Sequence, residues 1–486
     1  MNSTKPLKNN ATSSEKENSS SYNIKYAHKA LILLALLAVL VMYIDIMLTP
    51  SLPAISKQYN VNSAQAALII SLYLVFGTAI MPIIGKIGDI YGKKRTLMYV
   101  LIAYLVMVSI TSFMSRFDII LISRTFQGIG LSMFPLAFSL IREEFPKEMV
   151  PRAQGLIAGM FGGGTALGLP LGAYISNSYG WQANYHVVLP FLIVLTILIF
   201  IVIRESRYKQ ASVKLDYIGA AWLGISLAMI VLGLSQGATW GWTSIKVLAL
   251  TLIGGLSLIL LLIFEKRSSH PLLDFKMLSK RNIMIANISI LILSMSMFLA
   301  FQTIAYRMEE PLPSGFGFDI LTTGLYLLPM AVTMMILAYP VGILVSKYGV
   351  KKFLIGGALI GAVGFLLLST ASSAAQIAEY IVIAAVGLAI LMISLQNLLV
   401  LTADPHEMGL ATSMNTTFRN LGSSLGAPIA GSFISTYTVL YTVGSKSFSL
   451  PAGSAYTYPF YVASAGFIVA FFLVIFAREV INKKTA

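Results

Sequence analysis

The sequence predicts an all-α polytopic membrane protein, with two six-helix bundles joined by an extra pair of helices. Three observations support this prediction. The chain of 486 residues is 57% hydrophobic and only 11% charged, too apolar for a soluble protein. Apolar segments of roughly 18 to 25 residues recur along it, the length that crosses a bilayer as a helix. A basic, glycine-rich motif also occurs once in each half.

Fourteen apolar segments are predicted to span the membrane, so both termini lie on one side. Positive residues accumulate on cytoplasmic loops, and most of the 34 Lys and Arg residues fall on loops that share a side with the N-terminus. We therefore expect both termini in the cytoplasm and a multi-pass protein of the plasma membrane. The predicted spans are 30–49, 65–84, 97–114, 118–140, 153–175, 184–203, 216–235, 246–264, 284–304, 320–342, 352–370, 377–401, 410–434 and 458–477.

The chain is predicted to divide into five regions. Residues 1–28 are rich in Ser, Asn and Lys and poor in large aliphatic residues, so we expect a disordered cytoplasmic tail. The other regions are an N-terminal six-helix bundle at 29–204, cytoplasmic linkers with the extra helices 7 and 8 at 205–280, a C-terminal six-helix bundle at 281–478 and a cytoplasmic tail at 479–486.

The stretch GKIGDIYGKKR lies between predicted spans 2 and 3. A polar turn with three consecutive basic residues cannot lie in hydrocarbon, so it must be aqueous, and its charge marks the cytoplasmic side. The stretch GILVSKYGVKK, residues 342–352, repeats the motif in the second half. One copy alone would be consistent with an ordinary turn, whereas two copies indicate a duplicated transporter.

A second repeat has nearly the same offset. Predicted span 5 contains Gly164, Gly168 and Pro170, and predicted span 13 contains a similar run that ends at Pro428. Small residues allow helices to approach closely, and a proline inside a helix favours a kink. Dense packing without a transport role is the alternative interpretation.

These motifs resemble the major facilitator superfamily, whose signature between helices 2 and 3 reads G-x-x-x-D-R/K-x-G-x-R/K-R/K. The basic residue after the aspartate is replaced by Ile90. The twelve-plus-two arrangement narrows the resemblance to the fourteen-span drug/proton antiporters, which include multidrug and quaternary-ammonium exporters. The residues that match the signature, and that the resemblance assigns to cytoplasmic gating, are Gly85, Asp89, Gly92, Lys94 and Arg95.

The resemblance also covers predicted span 5, because the family's antiporter signature reads G-x-x-x-G-P-x-x-G-G. In this chain Leu169 occupies the proline position and Pro170 follows it. In the family this helix packs between the two bundles, which rock against each other. The residues matched to the signature are Gly164, Gly168, Pro170 and Gly172.

Asp45 is the only acidic residue deep within a predicted span. A charge at the bilayer centre costs about 2.5 to 3.5 kcal/mol on insertion scales, so we expect the carboxyl group to face a wet cavity. There it could bind and release a proton, and a cationic substrate could compete with that proton for the carboxylate. A purely structural pairing, with a hydroxyl or with Arg124, is the alternative. The family's helix 1 pattern is one residue longer between the acid and the Leu-Pro at Leu52, which leaves the orientation of Asp45 open.

Two arginines are predicted within spans. Arg124 and Gln127 lie three residues apart on one face of predicted span 4. The resemblance implies that the arginine of this R-x-x-Q-G pattern assists proton transfer with Asp45, and a structural hydrogen-bond hub is the alternative. Arg419 lies within predicted span 13, where burial without an acid is expensive. The resemblance leaves its role open between anion pairing and gating.

Several partners are not expected. The chain has no cysteine, and its four histidines lack ligand spacing, so we expect no metal and no other cofactor. The net charge of +15 follows from membrane orientation and from attraction to anionic lipids, so no nucleic acid is implied. The expected partners are a small-molecule substrate, protons and the lipid bilayer, and we expect a monomer.

The sequence therefore predicts proton-coupled secondary active efflux by alternating access. The expected substrates are amphipathic or lipophilic compounds, with cations favoured. A proton-linked carrier of a specific metabolite, lipid or siderophore is the first alternative, and a non-transporting membrane receptor is the second. An enzyme is not expected, because the predicted spans contain no catalytic constellation.

Overall fold

The chain is helical over most of the residues that the structure, a computed structural model, describes. These are 24–146, 149–205, 216–267, 275–403, 408–443 and 446–479. The α-helices are α1 (Ile24–Ile46), α2 (Leu52–Tyr59), α3 (Ser63–Tyr91), α4 (Lys93–Phe113), α5 (Phe117–Gln127), α6 (Met133–Glu144), α7 (Val150–Tyr179), α8 (Ala183–Val202), α9 (Tyr217–Trp240), α10 (Ile245–Arg267), α11 (Phe275–Leu278), α12 (Arg281–Glu309), α13 (Ile320–Tyr348), α14 (Val350–Thr370), α15 (Ala374–Thr402), α16 (Met408–Thr436) and α17 (Gly453–Ile475). The short 3-10 helices are Thr49–Ser51 and Gly128–Ser132, and strands β1 (Thr438–Val443) and β2 (Lys446–Pro451) pair antiparallel.

Twelve helical segments within the described residues are long and apolar enough to cross a membrane. Two of them combine α1 with α2 and α5 with α6. By length and composition, twelve of the fourteen predicted spans are therefore matched by a helical segment of the structure. The other two fall on α7, of 30 residues, and α16, of 29 residues. Both helices are rich in Gly, Ala, Ser and Thr, which lowers their mean hydropathy.

The predicted N-terminal tail differs from the structure at its boundary. Residues 24–28 form the beginning of α1 rather than disordered chain. Ala27 and Ala30 are buried there, so packing against neighbouring helices extends α1 beyond the apolar window. Most of both predicted tails, and most of the two predicted linkers, lies outside the described residues.

The helices pack in two groups. In the first group α1 lies against α7 and α8, while α4 lies against α5 and α8. In the second group α12 lies against α16 and α17, while α14 lies against α15 and α17. The seam between the groups is formed where α3 packs on α16 and where α7 packs on α13. The short helix α2 of the first group also contacts α12 of the second across this seam.

The seam is closed at the end of the molecule that carries β1 and β2, here called the strand end. Ser63 Oγ donates to the carbonyl oxygen of Gly431 at 2.9 Å and lies 2.7 Å from Ser435 Oγ. Tyr306 Oη donates to the carbonyl oxygen of Leu52 at 3.4 Å. These hydrogen bonds join the first group to the second, so no open passage separates the two groups along these contacts.

The groups separate towards the opposite end, here called the motif end because the turns at Gly92 and Gly349 lie there. At the strand end, a face of α7 packs on α13, where Ala173 meets Gly324. The same helical face is exposed at Gly155, and Met335 on the facing side of α13 is 52% exposed. Towards the motif end, these facing positions of α7 and α13 are therefore exposed rather than packed against each other.

The helix α9 lies across the seam at the strand end. Asn62 Nδ2 donates to Thr239 Oγ1 at 2.8 Å, which joins α9 to the first group. Ser432 Oγ donates to the carbonyl oxygen of Leu234 at 2.7 Å, which joins α9 to the second group. The pair formed by α9 and α10 is thus attached to both groups.

Candidate functional site

Asp45 lies at the end of α1, just before the 3-10 turn Thr49–Ser51. Pro50 in that turn lacks a backbone N–H, so a regular helix cannot continue through it. Asp45 is 8% exposed, and its Oδ1 is buried and accepts no hydrogen bond from the described part of the chain. The charges of Arg124 and Arg419 both act on the carboxyl group. Asp45 is therefore influenced by one cation from each side of the seam.

Arg124 of α5 is fully buried and caps the end of α1. Its Nη2 donates to the carbonyl oxygens of Ile44 at 2.9 Å and Asp45 at 3.1 Å. The last carbonyl groups of a helix have no partner within it, and a cation there interacts favourably with the helix dipole. The guanidinium lies 4.3 Å from the ring centre of Tyr73. Arg124 thus fixes the turn that carries Asp45, through the backbone of that turn.

Gln127 orients Arg124 from the same helix. Its Oε1 accepts a hydrogen bond from Arg124 Nη1 at 3.0 Å. Its Nε2 donates to the carbonyl oxygen of Met107 at 3.1 Å and to Thr111 Oγ1 at 2.5 Å, both on α4. Gln127 and Arg124 therefore connect α1, α4 and α5 through buried hydrogen bonds.

Arg419 comes from the second group. It lies on α16 and is partly buried, and its charge acts on Asp45. The structure thus brings Asp45, Arg124 and Gln127 together within the first group, and the charge of Arg419 acts on Asp45 from across the seam.

The predicted glycines of α7 form the surface on which α1 rests. A Cβ at Gly164 would lie 2.8 Å from the carbonyl oxygen of Val39, and one at Gly172 would lie 2.6 Å from that of Met47. A Cβ at Gly168, one turn from each, would overlap α1 as well. Only hydrogen fits at these positions, so the glycines let the two backbones meet directly along the segment that carries Asp45.

The second group repeats this arrangement. Gly422 and Gly426 of α16 face α12, and a Cβ at Gly426 would lie 2.9 Å from the backbone nitrogen of Leu299. Pro170 and Pro428 lie inside their helices, each two residues after the corresponding glycine. The repeated sequence pattern therefore corresponds to a repeated helix contact.

The predicted gating motif forms a charged turn at the motif end. Gly92 has φ +106° and Gly349, its counterpart, has φ +89°, backbone conformations that favour glycine. Lys93 Nζ lies 3.1 Å from Asp89 Oδ1 and 2.6 Å from Glu143 Oε1. Lys93, which the matched signature does not include, thus joins the turn to the end of α6.

A carboxylate caps the helix that follows each of these turns. Glu205 accepts hydrogen bonds from the backbone nitrogens of Lys94 at 3.0 Å and Arg95 at 3.1 Å. Glu479 accepts hydrogen bonds from the two residues after Gly349, at 2.8 and 3.3 Å. The first N–H groups of a helix lack partners and lie at the positive end of its dipole, so a carboxylate is well placed there.

Sequence reasoning missed both carboxylates, although a signal exists. Arg204-Glu205 follows the last helix of the first group, and Arg478-Glu479 follows the last helix of the second. This dipeptide is a third repeat. The Lys94 side chain lies over the ring of Phe200, 5.3 Å from its centre, and no heavy atom lies within 4 Å of a Cβ at Gly85. The motif residues therefore form a separate structure and do not join the Asp45 site.

The comparisons with known proteins agree on one family. The model described as Major Facilitator Superfamily matches residues 34–427 and 288–486. The multidrug transporter protein MdtP of Bacillus subtilis is 26% identical over 364 residues, 74% of this chain and 66% of that protein. The uncharacterized MFS-type transporter YvkA of the same organism is 27% identical over 414 residues, 84% of this chain and 90% of that protein.

Solved structures share the fold. A bacterial homologue of the human lysosomal transporter Spinster, in an inward-facing and unoccupied conformation, superposes with a TM-score of 0.66 at 13% identity, covering 93% of this chain and 95% of that one. The xylose transporter XylE from E. coli, in a partially occluded inward-open conformation, superposes with a TM-score of 0.61 at 13% identity, covering 94% and 98%.

Substitution of Gly172 by alanine is expected to destabilise the protein. The added methyl group meets the backbone of Met47 at 2.6 Å, and overpacking of this kind costs about 1–3 kcal/mol. Gly159→Ala on the same helix meets no heavy atom within 4 Å and is the matched control. Thermal unfolding of both variants in detergent measures the difference, and equal melting temperatures would contradict the contact between α1 and α7.

Substitution of Glu205 by alanine is expected to loosen the start of α4. Loss of a helix cap costs about 0.5–2 kcal/mol, so the amides of Lys94 and Arg95 should exchange hydrogen faster. Glu379→Ala removes an exposed carboxylate from α15 and serves as the control. Unchanged exchange at the two amides in Glu205→Ala would show that the carboxylate does not cap the helix.

Proposed function

Because the chain belongs to the major facilitator superfamily, we propose that it exports amphipathic or lipophilic compounds in exchange for protons, by alternating access. The observation that carries this proposal is Asp45, a buried carboxyl group near the seam on which one arginine of each helix group acts. A charge-bearing group inside a membrane protein is costly and is typically part of a transport pathway.

Alternating access is supported by the shape of the seam. The two groups meet at the strand end and separate at the motif end, as in transporters in which one bundle rocks against the other around a fixed site. If the basic motif end is cytoplasmic, this arrangement is inward-open. The glycine contacts between α1 and α7 then transmit the motion of α7 directly to the segment that carries Asp45.

Proton coupling follows from the position of Asp45. Protonation removes its charge, and loss of the proton creates a buried anion. A cationic compound in the cavity stabilises that anion and so displaces the proton, which gives exchange. Arg124 is committed to the backbone of α1 and holds the carboxyl group in place, while Arg419 provides a counter-charge from the second group that an incoming cation must replace.

The relatives favour a drug-like substrate over a single metabolite. MdtP is named as a multidrug transporter, and a further relative in Bacillus subtilis, 26% identical over 366 residues, 74% of this chain and 70% of that protein, is named multidrug resistance protein 3. A proton-linked carrier of a specific metabolite, lipid or siderophore is the second candidate, since the shared fold also serves a xylose transporter.

We further propose that α7 and α16 cross the membrane, which would give fourteen spans. Helices of 30 and 29 residues are about 45 Å long at 1.5 Å per residue, longer than the hydrocarbon core. Each packs along candidate spans of both groups, so its polar face is covered by protein. Both termini then lie in the cytoplasm of a monomer in the plasma membrane.

Labelling of single cysteines is expected to reveal this orientation, because the chain contains no cysteine of its own. Ser115→Cys lies in an exposed turn at the strand end, and Tyr91→Cys lies at the motif end, where the native residue is 61% exposed. A membrane-impermeant maleimide should label Ser115→Cys in intact cells, and Tyr91→Cys only after permeabilisation. The reverse pattern would show that the motif end faces outward.

Substitution of Asp45 by asparagine is expected to abolish exchange. In inverted vesicles, cationic lipophilic compounds should dissipate a preformed pH gradient with the wild-type protein, and the rate should fall at least tenfold in Asp45→Asn, because asparagine cannot carry the proton. Asp118→Asn is the matched control, since Asp118 is exposed and paired with Arg116 at 2.6 Å.

The same assay separates the candidates. Proton movement driven by many compounds supports multidrug exchange, and movement driven by a single metabolite supports the second candidate. If Asp45→Asn exchanges protons as fast as the wild-type protein, Asp45 is not the coupling residue.

A further inference from the structure

A second group of acids lies at the strand end, where the seam is closed. Lys57 of α2 belongs to the first group and reaches the second. Its Nζ donates to the carbonyl oxygen of Glu309 at 3.4 Å and lies 3.8 Å from Glu310 Oε2. These contacts span the seam, so they exist only while the strand end is closed.

The two acids differ in burial, because Glu310 is buried whereas Glu309 is partly buried. Glu310 is 8% exposed. The Oε1 atom of Glu309 is buried and accepts no hydrogen bond from the residues that the structure describes. A buried carboxylate oxygen without a donor is expensive, whereas the same oxygen in a protonated carboxyl group carries little charge.

The charges around the two acids do not balance when both are ionised. Lys57 is the cation that acts on both of them, and Asp319 adds a further negative charge near Glu309. The phenol groups of Tyr306 and Tyr456 also face the cluster, and the Arg307 guanidinium lies on the Tyr456 ring, 5.8 Å from its centre. The carboxylate form of Asp319 is stabilised because it caps α13, where it accepts a hydrogen bond from the backbone nitrogen of Thr322 at 2.9 Å. One proton shared by Glu309 and Glu310 leaves a single carboxylate for Lys57.

We propose that Glu309 and Glu310 together bind one proton while the strand end is closed and release it when the strand end opens. The cluster Lys57–Glu309–Glu310 is thus a proton-binding site separate from Asp45, and it makes the closure of the strand end depend on pH. The proposal rests on the alternating access proposed above, because it requires an open form of the strand end.

The direction of the pH dependence follows from burial. Burial raises the pKa of Glu310, and the charge of Lys57 opposes this rise only in part. In an open form the carboxyl groups reach water and the pKa returns to its ordinary value. The closed form therefore binds the proton more tightly, so low pH favours closure and rising pH favours opening. For one proton, the ratio of open to closed molecules changes by up to tenfold per pH unit between the two pKa values.

Electron spin resonance distances across the strand end test the proposal. Spin labels are attached at Ser115→Cys in the first group and Leu312→Cys in the second, since both native residues are exposed loop residues at that end. Distance distributions are recorded in nanodiscs between about pH 5 and pH 9. We expect a short distance at low pH. As the pH rises, a longer distance should become more populated, and the ratio of the long to the short population should increase by up to tenfold per pH unit.

Variants identify the groups that respond. The double variant Glu309→Gln/Glu310→Gln should keep the short distance at every pH, because neither amide binds or releases a proton. Asp118→Asn, an exposed acid at the same end, should retain the full response. Lys57→Gln should increase the open population at neutral pH, because the single carboxylate that remains in the closed form then lacks its counter-charge. Melting temperatures establish that each variant is folded.

The pH response of the strand end can be tested separately from the role of Asp45 in exchange. In Asp45→Asn the pH response should persist even though exchange is lost. A response that disappears in Asp45→Asn, or that survives in the Glu309→Gln/Glu310→Gln variant, overturns the proposed proton site and leaves the exporter proposal intact. A single distance at every pH in the wild-type protein overturns this proposal, whereas the exporter proposal is decided separately by the exchange assay.

Discussion

The first helix group is organised around the burial of one guanidinium. Arg124 has no exposed surface, and a cation in that position must find acceptors within the protein. The end of α1 provides them, because a helix that stops at Ile46 leaves carbonyl oxygens without partners. Gln127 and the ring of Tyr73 contribute further contacts, while Arg124 Nε has no hydrogen-bond partner among the described residues. The burial of Arg124 is therefore linked to the end of α1, to the turn at Pro50 and to the location of Asp45, because this turn provides the carbonyl acceptors of the guanidinium.

Much of the fold was accessible from the sequence, because transfer of side chains into lipid dominates the energetics of a membrane helix. The hydropathy pattern predicted the segments that became α8 and α14 within two residues, whereas α3 and α12 extend five to seven residues beyond their predicted ends. It was less informative for α7 and α16, whose small residues serve contact between helices and contribute little to hydropathy. It also missed the start of α1 at Ile24, where tertiary packing of Ala27 and Ala30 extends the helix.

For the candidate site, the residues were expected from the sequence, but the contacts between them were not. Asp45, Arg124 and Gln127 lie together, an arrangement that the family resemblance implied for predicted spans 1 and 4. The mode of contact, from a side chain of α5 to the backbone of α1, depends on where α1 ends, which no side-chain pattern encodes. The partners of the basic turn, Lys93 with Glu143 and Glu205 with the start of α4, join residues far apart in the chain. Of these contacts, only the one made by Glu205 has a sequence signal, the repeated Arg-Glu dipeptide. The meaning of that repeat is clear only from the structure, in which both copies make equivalent hydrogen bonds.

The paired carboxylate caps have a mechanical meaning. Glu205 lies at the end of the last helix of the first group and holds the beginning of α4, and Glu479 relates to α14 in the same way. In each group, hydrogen bonds thereby connect the end of the last helix to the beginning of an earlier helix. In the proposed rocking cycle, a torque applied at the end of the last helix is shared with the earlier helix, so each group is expected to turn as a single unit. The same capping contact occurs in both groups, in agreement with the repeat on which such a cycle depends.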